Sequence, residues 1–167
     1  GDGDDYQIIP PAAKELLGSP AASSVNVSCL EDATSLSVYR SDGNNFSTSC
    51  SAGQSLTVTG FATQGDGPAV KLVAGKPIGA NTIGDANGGD GHTLYPLHLA
   101  SRMFALPVDA SYMTFATSEP DATIVQYASS GTVKGTYTAT GTTVGKLRLD
   151  TDIVAGDFFI CNVPMYA

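Results

Sequence analysis

The fold class this sequence predicts is all-β: an antiparallel β-sandwich, jelly-roll-like, formed as a single domain behind an extended N-terminal arm. Three observations predict it. Apolar and polar residues alternate along most of the chain beyond residue 24, as in Val25-Asn26-Val27 and Ser35-Leu36-Ser37-Val38, which is the period of strands covered on one face. Turn words such as Asp42-Gly43, Ala52-Gly53 and Gly65-Asp66-Gly67-Pro68 break the alternation at roughly ten-residue spacing. No helical pattern is long enough to cross between parallel strands, so neighbouring strands return antiparallel.

The elements follow in order. Residues 1–23 read as an arm. It opens on the acidic word Gly1-Asp2-Gly3-Asp4-Asp5, continues through the extended Ile8-Ile9-Pro10-Pro11, and holds a short helix from Pro11 to Leu17 that Gly18-Ser19-Pro20 stops. Tyr6, Ile8, Ile9, Leu16 and Leu17 are its apolar anchors, expected to bury against the sandwich or a neighbouring subunit. Residues 24–167 read as the sandwich. Its inward positions are expected at Val38, Leu56, Val58, Leu72, Phe104, Phe115, Ile124, Val125, Leu147, Leu149, Phe159 and Cys161. Residues 75–91 are rich in glycine with little to bury, and read as a long surface loop suited to contacts. No internal repeat at a fixed period is evident, which argues against solenoids and propellers.

Composition narrows the function classes. The 167 residues are 42% apolar and 14% charged, with a net charge of −8. The eight basic residues are scattered, whereas nucleic-acid binding depends on clustered Lys and Arg, so no nucleic-acid partner is expected. Apolar stretches such as Phe158-Phe159-Ile160-Cys161 are strand-sized, and no membrane span is predicted. Of the three cysteines, Cys29 and Cys50 bracket the hairpin word Ser41-Asp42-Gly43-Asn44. They are placed either as a disulfide, closing a loop worth about 3 kcal/mol, or as two thiols in a reducing compartment. Cys161 reads as a small core residue, with an intermolecular disulfide as the alternative.

Motifs for chemistry are sparse, and no catalytic, metal-binding or cofactor-binding residue is assigned. The two histidines, His92 and His98, accompany no nucleophile word and no zinc ligands at usable spacing. Glu119 and Asp121 flank Pro120 as turn residues rather than as a carboxylate pair. Asp85, Asn87 and Asp90 resemble a calcium loop with one ligand displaced and no closing glutamate, so solvated turn carboxylates are the expectation there and at Asp2, Asp4 and Asp5. Asn26-Val27-Ser28 and Asn45-Phe46-Ser47 are glycosylation words of low specificity.

In layout, the arm at residues 1–23, the hairpin at residues 133–144 and the closing segment at residues 155–167 resemble the small β-sandwich decoration (cement) proteins of tailed-phage capsids. The resemblance carries no diagnostic motif. It implies a non-catalytic structural subunit on a virion surface, homo-oligomeric or bound to capsid subunits through its arm. A subunit of an extracellular filament or surface layer, completing a neighbour's sheet by strand addition, is the alternative. A carbohydrate-binding module using Tyr39, Tyr95, Tyr127 and Tyr137 in place of the absent tryptophan is the second.

Overall fold

The computed structural model describes residues 11–19, 24–61, 67–83 and 93–167. The first half of the chain forms β1 (Ala13–Gly18), β2 (Ser24–Cys29), β3 (Thr34–Arg40), β4 (Phe46–Cys50), β5 (Ser55–Thr59) and β6 (Val70–Ile83). A two-residue β7 (Tyr95–Pro96) and a 3-10 turn (Leu97–Leu99) lead to β8 (Ser101–Ala105), β9 (Met113–Thr117), β10 (Ala122–Tyr127), β11 (Val133–Ala139), β12 (Gly145–Leu149) and β13 (Phe158–Tyr166). All strand pairs are antiparallel and fall into two sheets that pack together, as expected of an all-β sandwich-like fold.

The two sheets are two copies of one topology. In the first, β6 carries β3 and then β2 along one edge and β1 along the other, while β4 pairs β3 and β5 pairs β2. In the second, β13 carries β10 and then β9 along one edge and β8 along the other, while β11 pairs β10 and β12 pairs β9. Strands β1 and β3 begin at 13 and 34, and β8 and β10 at 101 and 122, a spacing of 88 each time, while the register Tyr39↔Lys71 against Tyr127↔Phe158 matches β6 to β13 at a spacing of 87. Irregularities recur too. Register slips between Ala13↔Ile78 and Glu15↔Val73 in one unit and between Ser101↔Met165 and Met103↔Ile160 in the other, just where Pro77 and Pro164 sit. Left-handed residues coincide, Ala33 (φ 51°) with Asp121 (55°) and Gly43 (84°) with Gly131 (85°). The two glycines close matching hairpins, their N–H groups donating to Arg40 O at 3.1 Å and Ala128 O at 2.8 Å. The expectation of no internal repeat is therefore corrected: the chain is a tandem of two six-stranded units, residues 13–83 and 101–166, joined through β7.

Each unit has its own core. The first collects Leu16, Val25, Val27, Leu36, Val38, Val58, Leu72 and Ile78, and the second Phe115, Ile124, Leu149, Phe159, Cys161 and Met165. Neither cluster takes residues from the other sheet. The long strand serves two partners along one edge: residues 70–74 of β6 pair β3 and residues 78–83 pair β2, as residues 158–161 of β13 pair β10 and residues 165–166 pair β9. The disulfide Cys29–Cys50, with Cα atoms 6.2 Å apart, joins the ends of β2 and β4. Its place in the second unit is held by Thr117 and Ala139, since Cys29↔Ile78 and Thr34↔Cys50 match Thr117↔Met165 and Ala122↔Ala139. A small third cluster of Leu17, Ala69, Ala116 and Val144, flanked by Leu97 and Tyr166, is the seam between units.

Three expectations change. Residues 13–18 are a strand, not part of an arm helix. Leu16 enters the first core and the adjacent Leu17 the seam, and burial on opposite faces of one strand outweighs the helix propensity of Ala, Lys, Glu and Leu. Leu16 and Leu17 are thus internal packing residues rather than assembly anchors; Tyr6, Ile8 and Ile9 lie outside the described residues. The expected surface loop at 75–91 is strand as far as Ile83, paired with β2. Val125 faces outward, half-buried, and its neighbour Gln126 takes the core position equivalent to Val38.

Candidate functional site

The most polar buried cluster surrounds Gln126. Its Nε2 donates to Asp152 O at 2.7 Å and Asp157 Oδ2 at 2.8 Å, and Tyr137 donates its hydroxyl to Gln126 Oε1 at 3.0 Å. Lys134 Nζ reaches Asp157 Oδ2 at 2.8 Å, Asp152 Oδ1 at 2.9 Å and Asp152 O at 2.8 Å. Desolvation pushes the buried Asp157 carboxyl upward, but hydrogen bonds from Lys134, Gln126 and Val154 N outweigh it and hold the group below its ordinary value. The same bond to Asp157 raises Lys134. Both partners are therefore held in their charged forms and spent on each other, which suits a clasp between β10, β11 and the approach to β13 rather than proton transfer.

The first unit has a different clasp at its hairpin. Arg40 donates to both Asp42 oxygens, Nε at 3.1 Å and Nη2 at 2.7 Å, and to the carbonyls of Thr59 and Gly60, while its guanidinium lies 4.7 Å from the Phe61 ring centroid. The bond from Arg40 lowers the Asp42 carboxyl. Between the units a cleft is lined by Asp42, Gly60, Pro68, Thr140, Lys146 and Arg148. Lys146 donates to Gly67 O, and Arg148 bonds Asp150 at 2.7 Å and stacks over Tyr112.

The residues weighed from sequence are dispersed. His98 is exposed in the 3-10 turn, and Glu119 and Asp121 shape the β9–β10 turn. Asp85, Asn87, Asp90 and His92 lie outside the described residues, among which no three potential metal ligands cluster. Asn26 sits in β2 with its Oδ1 buried, and the exposed Asn45 bonds Arg40 N and Thr143 Oγ1. The four tyrosines form no shared platform: Tyr95 stacks on Tyr166, Tyr127 on Phe158, Tyr39 lies beside Lys71, and Tyr137 serves Gln126.

What sets one surface apart is the comparison between units. Across the outer face of the first unit, register aligns Ser47, Ser37, Val73 and Glu15 in one row and Tyr39, Lys71 and Leu17 in the next. The matching rows of the second unit are Thr136, Val125, Ile160 and Met103, then Val133, Tyr127, Phe158 and Ala105. Serine, glutamate and lysine are replaced by Val, Met and Phe on the same scaffold. Met103 is 59% exposed, Val133 54% and Ile160 39%; Met103 and Ile160 are directly opposed, and Val133 stands in the neighbouring row opposite Tyr127. Sequence reading missed it because Met103 and Ile160 stand 57 positions apart on strands read only as core-forming. No protein-family model, curated protein or solved structure matches the chain.

Proposed function

We propose that this protein is a non-catalytic structural subunit, in the manner of a virion decoration protein, that associates through the outer face of its second unit. The unequal faces of the two units carry the reading. One topology supports both a polar and an apolar outer face, so the apolar one is not a requirement of folding, and an exposed patch without a folding role marks an interface. The two charged clasps support the same view, because their groups are engaged with each other and the backbone. The disulfide fits an oxidising, extracellular or virion-borne life. No helix among the described residues is long and apolar enough to cross a membrane. Light scattering of the purified chain tests the reading: a native mass of two or more chains is expected, and a monomer at every concentration would contradict self-assembly.

A further inference from the structure

We infer that the apolar outer face of the second unit is closed by the same face of a second copy of this chain, as a two-fold pair. The inference rests on the structural-subunit reading and names its partner. Its starting point is that this face is already an interface once within the chain. In the first unit, the outward Leu17 is buried against Ala116, Val144 and Tyr166, and Lys71 Nζ reaches Ser118 O at 3.4 Å. The second unit's equivalents of Leu17 and Lys71 are Ala105 and Phe158, with the exposed Met103 and Ile160 beside them.

A head-to-tail array cannot cover this surface. The seam residues Ala116 and Tyr166 are consumed inside the chain, and their first-unit equivalents, by the register Ser28↔Gly79 against Ala116↔Tyr166, are Ser28 and Gly79, which offer no apolar side chain. A face that meets itself across a two-fold axis needs no second complementary surface. Charge favours that arrangement as well. The chain carries a net charge of −8, yet the two rows from Thr136 to Met103 and from Val133 to Ala105 contain no acidic or basic side chain, so two like-charged copies approach where repulsion is weakest. Strand addition along the β8 edge is disfavoured, because Ser101 Oγ already bonds both Met103 N at 3.0 Å and Met103 O at 2.9 Å. The partner therefore seats over the face.

Sedimentation equilibrium of the full chain tests this with a Met103→Glu/Ile160→Glu variant and, as control, Ser37→Glu at the first-unit position matching Val125. The wild type and the control should be dimers. The double variant should be a monomer, its dissociation constant raised by on the order of 30-fold or more, with an unchanged circular dichroism spectrum. A Met103→Ser/Ile160→Ser variant gives the same reading without introduced charge if the glutamates disturb folding. An oligomer that persists in both double variants, or one larger than two chains, overturns the pairing and leaves the structural reading standing. A monomeric wild type overturns both.

Discussion

The two units of this chain share strand order, register slips, hairpin geometry and separate cores, yet they differ in three places: a disulfide against Thr117 and Ala139, an Arg40–Asp42 clasp against Gln126–Asp157–Lys134, and a polar outer face against an apolar one. Topology therefore fixes the scaffold and leaves stabilisation and surface chemistry free to diverge. The first unit gains stability from a covalent link between β2 and β4. The second relies on an ionic network centred on the buried Asp157 and on the tilted Phe115–Phe159 pair, with ring centroids 4.9 Å apart.

One of the two largest expected effects comes from breaking the network that only the second unit has. Asp157→Ala takes the buried acceptor from Gln126, Lys134 and Val154 N, leaving the first two only Asp152, and should cost about 3–5 kcal/mol in urea unfolding, the range for removing one partner of a buried pair. Asp42→Ala in the first unit should cost less than about 1 kcal/mol, because that carboxylate is a third exposed and screened. A similar cost for both would show that the two clasps are equivalent after all.

Leu16→Ala should cost about 3–5 kcal/mol, since this leucine is fully buried in the first core. An assembly anchor on a free arm would lose binding and leave the melting temperature in place. Cys29→Ser should cost roughly 3 kcal/mol for a loop of 21 residues, and the loss should weaken amide protection in β3, β4 and β5 before β10 and β11. Conversely, Thr117→Cys with Ala139→Cys should form the missing bridge on oxidation in air, detectable by mass as the loss of two hydrogen atoms, although the Thr117 bond to Glu119 O is given up.

The pH dependence sharpens the contrast at smaller scale. Asp157 is held below its ordinary value in the folded state, so its contribution is present above about pH 4 and fades as pH falls through the lower folded value. Lys134 is raised, so its contribution is present below about pH 10.4 and fades as pH rises beyond that. Asp157→Asn should flatten the acid limb of stability against pH, leaving the shallower slope from Asp42. An acid limb unchanged in that variant would place the titration elsewhere.

Much of the fold was legible. Alternation located most strands and most core positions, because a face that must exclude water imposes its period on the sequence. Leu16-Leu17 misled because two-sided burial removes alternation, leaving helix-forming residues to speak alone. Gln126 misled because a glutamine satisfied by Asp152, Asp157 and Tyr137 can occupy a core position that hydropathy assigns to Val125. The duplication left a faint signal in Tyr39-x-Ser41-x-Gly43 and Tyr127-x-Ser129-x-Gly131, 88 positions apart, where both hairpins need the same turn chemistry. Pro77 and Pro164 at the matching register slips are a second trace, and most other equivalent positions share only whether they face in or out, which many residues satisfy. The candidate face was not legible at all, since it arises from register between strands distant in sequence.

The central claim, that one scaffold carries an inert and an adhesive outer face, is tested most directly by hydroxyl-radical labelling of side chains at low and high protein concentration. Met103, Ile160 and Phe158 should lose reactivity as concentration rises, while Tyr39 and Val73 on the equivalent face of the first unit stay constant. Reactivity that is independent of concentration on both faces, or that falls equally on both, would contradict the account.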